Sequence, residues 1–166
     1  INHGAGVFDV FSRKGQFQAP TLVLAAGLGN RKLAPLIGLK QPVRPQKGQI
    51  LVTQKIDKLI DVPMTLLRQT AEGSIMIGDS KEEVGFDVSS SIDIMAQIAD
   101  RARRTLPILE KQQVIRSWAA LRVMSPDGFP MYDQSEVCPG GFAITCHSGV
   151  TLAAAHCFDV AADIEA

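Results

Sequence analysis

The chain has 166 residues, of which 46 % are hydrophobic and 20 % charged, which is ordinary globular composition and excludes a disordered or collagen-like chain. Lys and Arg number 17, as do Asp and Glu, so there is no basic surplus to hold a nucleic acid or an anionic membrane surface. The longest apolar stretch, residues 21–29, is far short of the roughly 20 residues that span a bilayer, so no transmembrane segment is expected.

Residues 1–4, Ile-Asn-His-Gly, have neither the basic start nor the apolar core of a secretory signal. Cys138, Cys146 and Cys157 are an odd number without CxxC spacing, which points away from a disulfide framework and toward a reducing, cytoplasmic setting. Cys146-His147 with His156-Cys157 offers four zinc-type ligands, but the gap fits no common zinc finger. One domain over residues 1–166 is expected from the length. The chain does not open on Met, which suggests an excised or processed piece.

Residues 5–11 alternate well enough for a strand, Arg13-Lys14-Gly15 makes a turn, and 16–19 is a short return strand. After the break at Pro20, 21–26 is a continuous apolar run, the pattern of a strand buried on both faces. It ends in Gly27-Leu28-Gly29-Asn30, and 31–37 reads as a short helix stopped by Gly38. Pro42 and Pro45 keep the next segment extended but irregular. Gly48–Thr53 resumes as a strand, and 63–69 and 74–78 form two more around the turn Ala71-Glu72-Gly73. Residues 81–87 are a charged loop.

Ser90 is placed as the cap of a helix on which Ile92, Met95, Ile98, Ala99, Ala102 and Leu106 recur at helical spacing. Arg101, Arg103 and Arg104 near its end suit the helix dipole, and Pro107 stops it. Residues 114–121 read as a strand carrying the only Trp, 125–128 as a turn, 141–145 as a strand and 149–164 as a well-buried, Ala-rich helix. The order is strands, long helix, strands, helix, without strict βαβ alternation. The fold class is therefore α+β, a mixed and mostly antiparallel sheet with helices packed on one side.

Several chemistries are excluded. There is no GxSxG, no HExxH, and Ser148 beside His147 cannot form a triad from adjacent positions of one strand. Gly27-Leu28-Gly29 lacks the third glycine of a dinucleotide fingerprint, Lys32 standing in its place. What remains is an ordered series: Leu22–Gly27, residues 42–49 (Pro-Val-Arg-Pro-Gln-Lys-Gly-Gln), Gly78-Asp79, Gly85-Phe86-Asp87, Trp118–Pro130 and His147–Leu152. Taken together and in this order, these resemble the C-terminal half of FAD-dependent oxidoreductases of the D-amino-acid oxidase superfamily, in the branch of the glycine oxidases, sarcosine oxidases and hydrogen cyanide synthases. The likeness runs from about Gly4 to the last helix.

That resemblance implies the substrate domain of a two-domain flavoenzyme. It implies oxidation of an amino acid or related amine by hydride transfer to flavin, followed by imine hydrolysis. The strand, GxGxxG turn and helix that hold the ADP part of FAD in such enzymes are not in this sequence. The implied partner is therefore an N-terminal FAD-binding half or subunit, and FAD is not expected to bind tightly to this chain alone. Ala25, Ala26 and Gly27 resemble the small-residue turn where backbone approaches FAD. Gly149, Val150 and Thr151 resemble the segment whose amides face the flavin pyrimidine carbonyl, suited by the positive end of a helix. His147 and Ser148 belong to the same segment, and Gly48 and Gln49 are placed with the cofactor as well. Arg122 resembles the arginine that pairs with a substrate carboxylate, to which a guanidinium offers two parallel donors. Ala119 and Ala120 stand where sarcosine oxidases carry a flavin-linking cysteine, so the FAD is expected to be non-covalent. Ser148 stands where some glycine oxidase-like enzymes place a second arginine, and Met131-Tyr132-Asp133 replaces a more usual apolar residue followed by Ile-Gly. The alternative is a catalytically incompetent interaction subunit that pairs with a separate FAD-binding chain.

Overall fold

The computed structural model describes residues 1–165. In chain order it has β1 (Asn2–Gly4), β2 (Val7–Ser12), β3 (Gly15–Ala19), β4 (Leu22–Leu24), α1 (Asn30–Leu33) between two single turns of 3₁₀-helix, β5 (Arg44–Lys55), β6 (Leu67–Gln69) and β7 (Ser74–Ile77). Then follow α2 (Ile92–Thr105), β8 (Val114–Met124), β9 (Met131–Gln134), β10 (Gly141–Thr145), α3 (Ala153–Ala155), a π-helical turn (His156–Val160) and α4 (Ala161–Glu165). This is a mixed α+β chain with mostly antiparallel pairing. It divides into two compact units, one made of Ile1–Arg44 and the chain from Val123 onward, the other of Pro45–Arg122.

The first unit holds two three-stranded sheets, β1-β2-β3 and β4-β10-β9. The first is an antiparallel meander in which Gln16 and Gln18 both donate to the Asp9 carboxylate at 2.7 Å. In the second, β10 runs parallel to β4, pairing Leu22 with Gly141 and Leu24 with Ala143, and antiparallel to β9. Phe8 of β2, Leu24, Ala34, Ile37 and Ala143 make the core of this unit. The helical stretch after β4 stops at Gly38, as its glycine implied.

The second unit is the four-stranded sheet β6-β7-β5-β8 with α2 against it. Leu51, Leu67, Ile75 and Ile77 from the strands meet Ile98, Ala102 and Leu109. The helical spacing read from the sequence is the packed face: Ile98 and Ala102 are buried, and Met95, Ala99 and Leu106 flank them. Each fully buried Ile or Leu contributes roughly 1.5–3 kcal/mol to holding the helix on the sheet. Ile92 departs from this pattern and is 82 % exposed.

Four sequence readings are corrected. The apolar run 21–26 is a strand only over Leu22–Leu24, and Val23, Ala25 and Ala26 are exposed. The strand expected over 63–69 is shortened to Leu67–Gln69. Pro63 has no N–H to give a ladder, and Met64 and Leu67 exchange backbone hydrogen bonds across a tight turn just ahead of it. The helix residue N-terminal to α2 is Ser91, not Ser90, and its hydroxyl makes no cap. Instead the Ser91 amide donates to Gln49 Oε1 at 3.0 Å, and Gln49 Nε2 reaches the Ser91 hydroxyl at 3.3 Å. The last helix begins in regular form at Ala153, contains the π turn, and buries none of its residues. Alanine favours helix without needing burial, so an Ala-rich run forms a helix whether or not it is covered.

A charged network ties β5 to the loop ahead of α2. The Lys47 ammonium, 4 % exposed, meets Asp87 at 2.9 Å, Glu82 at 3.3 Å and the Ser89 carbonyl at 3.0 Å. The hydrogen bond from Lys47 is the main cause that lowers Asp87 to about 2. Burial pushes Glu82 up, but donors from Ser80, Gln49 and Lys47 outweigh it and hold it below its usual value. The hydrogen bond to Asp87 raises Lys47 against an opposing effect of burial. Depressed carboxylates stabilise the fold above their unfolded values and lose that contribution as pH falls, whereas a raised lysine contributes until pH climbs past its ordinary value of 10.5. Thermal melts by circular dichroism should therefore be flat from about pH 5 to pH 9 and fall as pH drops from about 4 toward 2. Asp87→Asn should lower the melting temperature at pH 7 and flatten the acid limb; an acid limb unchanged in the variant would show that the stability resides elsewhere.

Candidate functional site

The first cluster lies where β4 and β10, parallel neighbours, both end. Parallel strands of an α/β or mixed sheet place ligand-facing loops beyond their carboxyl ends. Here two segments leave such ends: Ala25-Ala26-Gly27 after β4, and residues 146–151 after β10. Asn30 joins them. Its side chain is fully buried, and its amide nitrogen donates to the Leu24 carbonyl at 2.8 Å, the Thr145 hydroxyl at 2.7 Å and the Ile144 carbonyl at 3.1 Å. Its carbonyl oxygen accepts the Ala26 amide at 3.1 Å. One side chain thus satisfies the backbone groups that the two strand ends would otherwise leave unpaired.

Gly27 follows with φ +55°, a left-handed conformation that opens the 3₁₀ turn, and a β-carbon there would stand 3.3 Å from Val123. Ala25 and Ala26 are exposed, and the turn carries no side chain larger than methyl ahead of Leu28. In the other segment His147, Ser148, Gly149, Val150 and Thr151 are all exposed, Val150 by 95 %. The segment is a turn, not the start of a regular helix; the Leu152 amide bonds back to the Ser148 carbonyl at 3.0 Å. Cys146 is half-buried, and burial raises its thiol pKa, which keeps it a thiol. Alongside, the Tyr132 hydroxyl lies 2.9 Å from His156 Nε2 on the π turn, with the rings edge to face at 5.7 Å. Burial, and then the neighbouring Cys146, raise the Tyr132 phenol.

The second cluster is in the sheet of the second unit. Arg122 lies across β5 at Gly48, where a β-carbon would sit 2.4–2.6 Å from the guanidinium. Nη1 donates to the Ser80 carbonyl at 3.0 Å and the Lys47 carbonyl at 3.3 Å, and Nη2 forms an ion pair with the Asp79 carboxylate. The Arg122 side chain is 22 % exposed. So the structure brings Gly48 and Arg122 together, and the glycine is required by the arginine's position. Gln49 is different: it is fully buried, its side chain is spent on Glu82 and Ser91, and its amide donates to the Ser80 hydroxyl at 2.9 Å.

Sequence reasoning assigned no role to Asn30 or Asp79. The one signal for Asn30 is an amide residue closing an apolar strand and a Gly-Leu-Gly turn, where a polar side chain has the strand ends as its nearest partners. Among the described residues no group of three or more His, Cys, Asp or Glu could hold a metal, and no helix is long and apolar enough to cross a membrane.

Asn30→Ala should leave the acceptors of Leu24, Ile144 and Thr145 and the Ala26 donor without their common partner. A loss of about 2–4 kcal/mol in urea unfolding is expected, with amide exchange at Ala26 rising first. A loss under about 0.5 kcal/mol would place the junction's stability in its apolar neighbours instead.

A family model described as FAD dependent oxidoreductase matches residues 1–162. The chain is 48 % identical over 159 residues to one of the opine oxidase subunits of Agrobacterium tumefaciens (strain Ach5), covering 96 % of this chain and 41 % of the relative. It is 35 % identical over 122 residues to the hydrogen cyanide synthase subunit HcnC of Pseudomonas aeruginosa, covering 70 % and 29 %. Among solved structures, glycine oxidase from Geobacillus kaustophilus superposes with a TM-score of 0.84 at 23 % identity, over 92 % of this chain and 43 % of that one. That likeness shows the fold. The chain spans about two-fifths of the length of the opine oxidase relative.

Proposed function

The chain belongs to the FAD-dependent oxidoreductase family, and on that footing we propose that it is the substrate-side portion of an enzyme oxidising an amino acid or related amine. The remaining length, including the ADP-binding part, comes from an N-terminal half or a separate subunit. When bound, FAD supplies a two-electron acceptor for the hydride leaving the carbon that bears the amine. The resulting imine takes up water and splits to a carbonyl compound and an amine or ammonia. The likeness to an opine oxidase makes opines the first substrates to try.

The residues at the strand ends fit the cofactor. Ala25, Ala26 and Gly27 offer backbone with minimal side-chain bulk, and Asn30 absorbs the buried polar groups behind them. On this reading His147, Ser148, Gly149, Val150 and Thr151 present exposed backbone to the flavin ring from the neighbouring strand end. Gly48 serves indirectly, by giving Arg122 its place, and the buried Gln49 holds the start of α2.

The observation that carries the substrate reading is the fixed guanidinium of Arg122 over Gly48. A guanidinium already held in place loses little freedom on binding a carboxylate, which favours orientation as well as affinity. The ion pair with Asp79 favours a second reading. There Arg122 is a strut between β8 and the loop after β7, and the chain is a non-catalytic subunit paired with an FAD-binding chain.

The two readings part on substrate type. In the complete enzyme, Arg122→Lys and Arg122→Ala should each lower kcat/KM for a carboxylate-bearing substrate by roughly 30- to several-thousand-fold, as expected when a buried charged pair is lost. A matched amine without the carboxylate should be oxidised nearly as before. Equal losses for both substrates would make Arg122 a strut.

A further inference from the structure

We infer that the second unit carries an anion site, separate from Arg122, between α2 and the loop that follows β7. A cavity of about 600 Å³ lies there, lined by Thr65, Ser80, Lys81, Gln97, Arg101 and Arg104 among others. Three carboxylates also border it, and each is already spent. Asp79 is held by Arg122, Glu82 by Lys47, and Asp100 by both Arg103 and Arg104.

Two cations on the wall are left over. Among the described residues Lys81 has no ion pair, and Arg101 has no carboxylate partner. Arg101 gives one hydrogen bond, from Nη2 to the Asp79 carbonyl at 2.6 Å, and its Nε is buried with no acceptor. This sets Arg101 apart from its neighbours on the last turn of α2, which the sequence grouped with it as helix-dipole charges. Arg103 and Arg104 have Asp100, whereas Arg101 turns inward to the Asp79 backbone.

A half-buried guanidinium whose one partner is a neutral carbonyl lacks a counter-charge, and an anion in the cavity that Arg101 lines would supply it, with the sealed Nε left behind the contact. The wall matches that need. Its cationic groups are Arg101, Lys81 and the remaining nitrogens of Arg104, and Thr65 and Gln97 add neutral donors. The ligand chemistry is a small oxyanion group, the carboxylate of an organic acid or a phosphate, because a planar fork of donors accepts two oxygens at once. The site is distinct from the proposed substrate arginine but linked to it, since the Asp79 carbonyl takes Arg101 and the Asp79 carboxylate takes Arg122.

The test titrates the full chain separately with inorganic phosphate and with succinate, by calorimetry and by following the arginine Nε–H signals in ¹⁵N spectra. Saturable binding of either, in the millimolar range or tighter, is expected, and the tighter of the two identifies the group. Arg101→Met should weaken it at least about tenfold and Lys81→Ala by a smaller factor, with Arg116→Met, which sits on Trp118 and away from this cavity, unchanged. Should Arg101→Met fail to fold, the parent chain still decides, since one buried arginine Nε–H must move to saturation with the ligand. No saturable binding of either anion, binding unaffected by Arg101→Met, or a titration that leaves every arginine signal in place would each overturn the assignment.

Discussion

The Arg122 guanidinium lying across Gly48 is the contact around which the second unit is organised. Strand alternation sends successive side chains to opposite faces, and Lys47-Gly48-Gln49 uses this fully. Lys47 and Gln49 both reach Glu82, while the intervening residue presents bare backbone to Arg122. On one face the strand gathers the loop of residues 80–89 and the start of α2. On the other it admits a cation that would be displaced by a single methyl group. The loop after β7 is then held from both sides, through the Ser80 hydroxyl on the Gln49 amide and the Ser80 carbonyl on Arg122. A flat, fixed guanidinium follows from the packing of three consecutive residues and needs no ligand to hold it.

The first unit solves a comparable problem without charge. Two parallel strand ends must stop close together, and each leaves backbone groups that water cannot reach. Asn30 supplies donors and an acceptor from one uncharged amide. Such a junction is indifferent to pH, whereas the Lys47 network depends on carboxylates staying ionised. The two junctions therefore answer acid differently. The part proposed to face the cofactor is held by neutral hydrogen bonds, and the part proposed to face the substrate by charged ones.

Much of this was legible in the sequence where periodicity and burial agree. α2 packs as its spacing required, because Ile98 and Ala102 have a sheet to meet within the same unit. The hairpin around Gly73 and the stop at Gly38 followed from residues whose backbone freedom is local. Apolar composition marked two stretches as surfaces for burial, and within this chain that burial is not met. Residues 21–26 and the Ala-rich end are apolar, yet Val23 is 39 % exposed and Phe158 78 %. The family likeness singled out Arg122 and Gly48 separately but not that they touch, since that contact joins two strands far apart in sequence. The roles of Asp79 and Asn30 were hidden for the same cause: a side chain's partners are set by topology, and the groups each one meets lie on other strands, Arg122 for Asp79 and Ile144 and Thr145 for Asn30.

The exposed apolar surface has a physical consequence for how the chain is used. Wholly parallel sheets occur almost only with both faces covered, whereas a mixed sheet such as β4-β10-β9 can leave part of a face open. Here the parallel pair β4–β10 sits at one side of a three-stranded sheet, with Val23 exposed and with Val150 and Phe158 standing out beyond it. Such side chains are costly in water when they are contiguous. On the proposed reading the FAD-binding portion covers these side chains. Closing that surface would exclude water from the exposed backbone of Ala25–Gly27 and Gly149–Thr151. Hydrogen bonds from those amides gain strength only in such a dry setting.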